Sequence, residues 1–550
     1  MLRSLPRALR AALLLVAVAS PAAAETPPVL DWAQLWNGPD NHDDEAMAVA
    51  VDPGGDVLVA GTTYQLGVGA NREDIALLRY APDGTLLWFR RYGGDGFDAP
   101  STVIIPEPGK TLVAGQTWDG TQDNATVLLY DVAGTLLWER QLPLGGILPL
   151  GFVPRLARAA DGSLYLCASA GGDYLIAKLD ADGNVLWTHS YDGPAGGVDL
   201  AVDLAVDANG AVVVTGVVDA DAFPRSYGTV KVDADGVFQW EQFESGDFGS
   251  LTDFVRVAVA PGGDVLLAGG PESTCGVFEI RSWRLNGSTG AQQWLQVFPP
   301  NPCHSASPAA LAVDGEGSLI VTGSGAQGSS AGHFQTLKYD SAGQLVWLQE
   351  YDGPGSSSDL ASSLVVDAAG DVYVAGLTIN PPQDRDHVAV KYAPDGAEAW
   401  RLHWPGPFDT NDGATAIALG PDGAFVMAGH AYDPAHQEEL TTLHYTQQDV
   451  TAAQPAAGGD APRVWAVGNP FHGETRIGYA LPAAGTVRLS VHDVTGRRLA
   501  VLRDGPAAAG AHTLVWRGED DAGRPLPAGV YLLRLEAAGV TRGARVQRLR

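Results

Sequence analysis

The stretch YAPDGTLLWFRRYGG, Tyr80–Gly94, mixes apolar and polar residues, carries a Pro-Asp-Gly turn near one end and sets a Trp in its middle. Whether it is a single hairpin or one copy of a repeat decides the fold. The phrase returns along the chain. YDVAGTLLW ends at Trp138, LDADGNVLW at Trp187, VDADGVFQW at Trp240, LNGSTGAQQW at Trp294, YDSAGQLVW at Trp347 and YAPDGAEAW at Trp400. From Trp88 onward the Trp spacings are 50, 49, 53, 54, 53 and 53 residues. A fixed period of this size is the mark of a repeat array.

A second phrase lies upstream of each Trp. It reads AVAVDPGGDVLVAGT at Ala48–Thr62, LAVDANGAVVVTG at Leu204–Gly216 and VAVAPGGDVLLAGG at Val257–Gly270. It returns at Leu311–Ser324, Leu364–Gly376 and Ile417–Gly429, with weaker copies at Val103–Gly115 and Leu156–Ser169. Each unit then reads as four short strands with tight turns between strands one and two and between strands three and four. Four antiparallel strands per unit, repeated radially, make a β-propeller blade. The repeated Trp is expected to pack between blades rather than to stack on a ligand.

The last unit ends at Asp449 without a fourth strand. LDWAQLWNGPDN (Leu30–Asn41) aligns with VLWTHSYDGPAG (Val185–Gly196) and places Trp32 on Trp187. The N-terminal strand therefore completes the last blade and removes free sheet edges. The expectation is an all-β protein: an eight-bladed propeller over residues 25–450, with seven blades as the alternative if the weak third unit is irregular. The motifs A-V-D-x-x-G-x-x-x-V-x-G and D-G-x-x-x-W resemble the secreted bacterial β-propeller repeat family. That resemblance implies architecture and export more than an activity.

The N-terminus, MLRSLPRALRAALLLVAVASPAAAETPP, has three Arg, a short apolar run and an Ala-x-Ala site. It reads as a signal peptide over residues 1–24, with Glu25 starting the mature chain. No later stretch is long enough to span a bilayer, so the mature chain is expected to have no transmembrane segment and to be secreted or held at the outer membrane or cell surface. The chain has 64 Asp plus Glu against 34 Lys plus Arg and a formal charge of −30. That balance excludes a nucleic-acid partner, which needs a basic footprint.

Residues 451–462 read as a linker rich in Ala, Pro and Gly. Beyond them, alternating runs such as TVRLSVHDV and GVYLLRLEA give an Ig-like sandwich over 463–550. NPF (Asn469–Phe471), VHDVTGRRL (Val491–Leu499), Trp516, Gly518 and Asp520, and AGVYLLRL (Ala528–Leu535) resemble the Ig-like domain of the flagellar hook-capping protein family. They equally resemble the sorting tail of type IX secretion substrates. Either resemblance implies contact with secretion machinery or the cell envelope, and the basic end (Arg542, Arg545, Arg548, Arg550) fits a sorting tail.

Turns one–two and three–four are short, whereas loops two–three and four–one are long and variable, so a binding face is expected on the long-loop side. An Asp recurs there about eight residues before the end of strand one: Asp44, Asp98, Asp199, Asp359 and Asp412, with Asp253 displaced by one. Gathered at the channel mouth, these carboxylates suit a hard cation such as Ca²⁺. Alternatively, each bonds backbone N–H groups and shapes its own loop. No other cofactor is indicated. Cys275 and Cys303 fall in neighbouring long loops and are expected to pair, leaving Cys167 as a small buried residue. The DxDG pieces at Asp180 and Asp233 sit where hairpin turns are required and lack the further ligands of a calcium loop. The His residues are scattered and read as surface or loop groups. With mainly Asp at the channel mouth and no obvious partner base or nucleophile, the expectation is a non-catalytic propeller that binds a protein or glycan. A glycan hydrolase, a quinone-dependent dehydrogenase and a passive spacer are the alternatives.

Overall fold

A computed structural model describes residues 25–447 and 463–548, apart from 65–72, 95, 146–152, 221–222, 246–250, 274, 300–303, 327–331, 354–357, 381–383, 409, 435–436, 468–474, 482, 494–496, 509, 528 and 538–539. The expected signal peptide and linker lie outside the described residues.

The repeats fold into eight four-stranded antiparallel sheets in a propeller-like arrangement. Sheet one runs Asp44–Val51, Val57–Tyr64, Glu73–Tyr80, Leu86–Tyr92. Sheets two to seven repeat this plan, and sheet eight takes Asp412–Leu419, Phe425–Asp433 and Gln437–Thr446. Its fourth strand is Val29–Trp36, which pairs antiparallel with Gln437–Thr446. The first strand of each sheet packs against the first strand of the next, and that of sheet eight packs against that of sheet one. Second and third strands are covered on both faces, so they read as near-continuous buried runs. Fourth strands form the rim and begin on exposed apolar pairs such as Leu86 and Leu87.

The repeated Trp is the joint between sheets. Trp88 Nε1 donates to the Val132 carbonyl at 2.9 Å, in the three–four turn of the next sheet. Trp32, Trp187, Trp240, Trp294 and Trp347 make the same bond to Pro82, Ala234, Gly287, Ser341 and Pro394. The turn's glycine lies against the ring. At Gly84, Gly134, Gly183, Gly236, Gly290, Gly343 and Gly396, φ is between +70° and +87° and an added Cβ would come within 2.6–3.0 Å of the neighbouring Trp. Thus the Gly of one D-G-x-x-x-W phrase exists for the Trp of the phrase before it. At Trp138 the ring contact persists and Arg140 Nε donates to the Gly183 carbonyl at 2.7 Å, as Arg90 does to Gly134, but Trp138 Nε1 has no partner among the described residues.

The eighth joint differs because sheet eight has no three–four turn. Trp400 is buried and stacks on Phe425 at 5.4 Å, and its Nε1 has no partner among the described residues. In sheets three, four and six, Lys178, Lys231 and Lys338 reach the next sheet's turn carbonyl. Lys391 in sheet seven instead meets the Glu25 carboxylate at 2.8 Å and Asp371 at 2.7 Å. Although burial pulls the Lys391 ammonium down, those two carboxylates hold it above its usual range. Gln447 Nε2 donates to the same Glu25 oxygen. The start of the described chain thus stands in for the missing turn.

The C-terminal strands form two sheets, one of three strands and one of four. They enclose one core that includes Ile477, Leu489, Val491, Trp516, Tyr531 and Leu533. Trp516 Nε1 donates to the Glu519 carbonyl at 2.9 Å, and Asp520 accepts the Ala522 and Arg524 N–H groups to form the following turn.

The joint predicts a contrast between two glycines. Gly343→Ala adds a clash with Trp294 to an unfavourable positive φ, and is expected to cost about 2–4 kcal/mol. Gly120 also has positive φ but nothing within 4 Å of an added Cβ. Gly120→Ala is expected to cost about 1 kcal/mol. Denaturant midpoints of the two variants check this.

Candidate functional site

The long-loop face is built by one local device. Asn37-Gly38-Pro39, Asp192-Gly193-Pro194, Asp352-Gly353-Pro354 and Pro405-Gly406-Pro407 each precede an Asp six residues after the Gly, at Asp44, Asp199, Asp359 and Asp412. The structure buries all five recurring Asp residues, including Asp98. One carboxylate oxygen faces the loop glycine. Gly38 N–H donates to Asp44 at 2.5 Å, Gly94 to Asp98 at 2.9 Å, Gly353 to Asp359 at 2.8 Å, and Gly193 to Asp199. The other oxygen faces the end of strand two. Trp118 N–H donates to Asp98 at 2.6 Å, Asp219 N–H to Asp199 at 3.0 Å, Thr378 Oγ1 to Asp359 at 2.6 Å and Tyr432 N–H to Asp412 at 3.1 Å. Asp98, Asp199 and Asp359 thus each staple a loop to their own sheet, while Asp44 holds its loop through Gly38 and Asp412 accepts from the end of strand two. The glycine is required, since a Cβ at Gly353 or Gly193 would meet the carboxylate at 2.8 Å.

The five Asp residues therefore sit in separate sheets, each among local donors. Two of them belong to trios of ligand-type side chains. Asp199 lies with Asp173 and Asp192, and Asp359 with His333 and Asp352, each trio having ligand atoms within 4.8 Å of one another. The trios occupy equivalent positions: the start of strand three, the residue after strand four, and the entry to the next sheet. His333 Nδ1 lies 3.3 Å from Asp352, and Ser190 Oγ donates to Asp173 at 3.2 Å. The Asp173–Asp192–Asp199 trio brings together carboxylate oxygens of the kind a hard cation takes, whereas the other pairs two carboxylates with an imidazole nitrogen. The side chain of Asp253 is outside the described residues, as is Cys303. Cys275 is disulfide-bonded, and Cys167 is a free buried thiol whose pKa burial pushes up.

Where sheets eight and one meet, Asp43, Glu45, Glu73 and Glu438 crowd together. Burial first, then Glu45 and Asp43, raises the Glu73 carboxyl, and burial raises that of Glu438. His430 Nδ1 lies 3.5 Å from Glu45; burial alone would lower its pKa, but that contact raises it. The reading of the His residues as surface or loop groups needs correction. His387 is fully buried, with Nε2 3.0 Å from the His430 carbonyl and its ring edge-on to Trp404 at 5.1 Å. Burial pushes its pKa down to about 3. Third strands are covered on both faces, so alternation gave no signal that this side chain points inward. The DxDG pieces serve as turns: Asp180 accepts the Asp182 and Asn184 N–H groups, and Asp233 those of Asp235 and Val237.

Residues 31–265 match the family model described as outer membrane protein assembly factor BamB. Residues 468–540 match the FlgD Ig-like domain. Among curated proteins nothing matches. Solved structures similar to the chain include quinohemoprotein alcohol dehydrogenase from Comamonas testosteroni, 14% identical, covering 76% of each chain with a TM-score of 0.49. Sqt1 from Chaetomium thermophilum is 13% identical, covering 76% of this chain and all of its own, with a TM-score of 0.47. A europium-containing methanol dehydrogenase is 11% identical, covering 76% of this chain and 93% of its own, with a TM-score of 0.45. The N-terminal part is thus similar to BamB-type β-propellers and the C-terminal part to FlgD Ig-like domains. Among the described residues no helix is long and apolar enough to cross a membrane.

The stapling carboxylates carry a pH signature. Burial raises both Asp44 and Asp98 to about 6, against 3.8 in an unfolded chain. A carboxyl raised in the folded state favours folding below its unfolded pKa and loses that contribution as pH rises through its folded pKa. The melting temperature of Asp98→Asn, relative to the unmodified protein, is therefore expected to shift in the variant's favour between pH 4 and pH 7. Thermal melts across that range check it; a flat difference would mean that Asp98 keeps an ordinary pKa.

Proposed function

We propose that this chain is an exported, envelope-associated, non-catalytic protein whose eight sheets form a closed eight-bladed propeller. Its long-loop face binds a protein or glycan, and its C-terminal Ig-like domain serves export or surface attachment. The observation that carries the reading is the stapled Asp. The buried carboxylates of that face are spent on holding loops, which makes a rigid platform of the kind binding loops need. Above the staples stand exposed or half-buried acids, among them Asp192, Asp352, Asp43 and Glu45. A face of this charge attracts cationic groups, or takes up Ca²⁺ that then bridges to glycan hydroxyls. The packing of first strands around all eight sheets supports the closed ring. The BamB-type and FlgD-type matches support an envelope setting, and the tail's resemblance to type IX sorting domains supports delivery by that route.

The test uses the mature full-length chain. Thermal-shift assays with Ca²⁺, a chelator, pyrroloquinoline quinone and soluble cell-wall glycans are expected to show a calcium- or glycan-dependent rise in melting temperature by mass action. The rise is expected to vanish in the Asp192→Asn/Asp352→Asn double variant. A shift with the quinone together with turnover of an alcohol would replace this reading with an enzymatic one.

A further inference from the structure

Charge is divided unevenly between the two parts of the chain. Residues 25–447 hold 55 Asp plus Glu against 18 Lys plus Arg, whereas residues 463–550 hold 13 Arg, no Lys and 7 Asp plus Glu. A strongly acidic propeller part thus carries a basic domain behind it. Within that domain Asp493, Asp504, Asp520 and Glu536 are each paired with an Arg. Arg498 and Arg503 are exposed on one strand outside those pairs, and Val515 and Leu532 are exposed apolar residues of the same domain.

The short-turn face of the propeller matches that chemistry. Every one–two and three–four turn except that at 286–291 carries an Asp or Glu. Some of these acids build the turn, as Asp180 and Asp233 do by accepting N–H groups. Asp182, Asp235 and Glu316 offer only their own N–H groups to the turns, and all three are exposed. The neighbouring cations are spent elsewhere. Lys231 and Lys338 are buried against Asp207 and Asp314 and against turn carbonyls. Of the cations in the turns themselves, Lys110 pairs with Glu107, which leaves Arg158. Apolar residues border the acid. Leu86 and Leu87, Leu136 and Leu137, and Val185 and Leu186 open the fourth strands of sheets one to three and are 37–54% exposed. The fold does not require them, because sheet five has Gln292 and Gln293 at the same places and sheet seven has Glu398 and Ala399. Exposed apolar residues kept across adjacent sheets mark a contact surface.

The chain also leaves the propeller on this face. Strand three of sheet eight ends at Thr446, and Gln447 is held by Glu25 beside Lys391. Fifteen residues, 448–462, separate Gln447 from Arg463. Even fully extended they span at most about 50 Å. A tether of that length sets an effective concentration of about 1 mM, so a weak contact is enough to close. We propose that the basic C-terminal domain docks on the acidic, apolar-bordered short-turn face of its own propeller. Guanidiniums meet the exposed carboxylates, for which their paired N–H donors are suited. The docked domain covers the end opposite the long-loop face and leaves that face open. The docking does not depend on what the long-loop face binds.

Small-angle X-ray scattering of the mature full-length chain, in a concentration series, tests the proposal. Raising the salt from about 0.01 M to about 1 M shortens the Debye length from about 30 Å to about 3 Å. The chain is expected to be compact at low salt and to lengthen at high salt by about 20 Å, the root-mean-square span of a flexible fifteen-residue tether. Asp182→Lys/Asp235→Lys is expected to give the long form already at low salt, and so is Arg498→Glu/Arg503→Glu in the C-terminal domain. Asp192→Lys/Asp352→Lys makes the same change of net charge on the long-loop face and is expected to leave the compact form as it is. All six residues are exposed, and thermal melts establish that each variant keeps its fold. Equal dimensions at both salts would overturn the proposal. So would opening by the long-loop variant as large as that by the short-turn variant, or no opening by either the short-turn or the C-terminal variant. A scattering mass that doubles with concentration at low salt would also overturn it, by placing the contact between copies.

Discussion

The contact between a Trp and the glycine of the next sheet's turn is the constraint on which the propeller part depends. It fixes three things at once. The ring fills the gap between sheets, the Nε1–H bond sets how far each turn advances, and the glycine's positive φ aims the turn at the ring. A one-residue slip in either strand would turn the Trp to the opposite face. The outer joint is answered near the axis by hydroxyl and backbone ties such as Ser362 to Ala414. Rim and axis are therefore tied separately, which leaves the loops at one end free to vary.

That division of labour explains the chemistry of the long-loop face. Asp98, Asp199 and Asp359 each anchor a loop with two oxygens that take donors from two different elements. The cost is a set of desolvated carboxylates, which raises the pKa of Asp44 and Asp98. The same economy holds at the seam, where Glu25 and Lys391 do with an ion pair what a turn carbonyl does for Lys338.

Much of this was legible in the chain. The Trp period, the D-G-x-x-x-W phrase and the alignment of Trp32 with Trp187 pointed to repeated sheets and to the origin of the last strand. Alternation in GVYLLRLEA gave the C-terminal sandwich. Other features were not legible, for physical reasons. That the Gly of one phrase serves the Trp of its predecessor is a relation between units, invisible within either. The Asp residues were visible as a recurrence, but the donors that hold them are backbone N–H groups, which every residue offers. The G-P-x-x-x-x-D spacing was available as a signal of a glycine closed over by a carboxylate. His387 was hidden because both faces of its strand are buried.

The central claim is that the N-terminal strand completes the eighth sheet and stabilises the repeated sheets by doing so. The direct measurement is cooperative unfolding of the chain lacking residues 25–36, with and without a synthetic peptide of those residues. The account predicts a lower melting temperature and separate early loss of sheet eight on deletion, with both restored by the peptide in a saturable manner. Unchanged melting after deletion, or a peptide without effect on a destabilised chain, would contradict it.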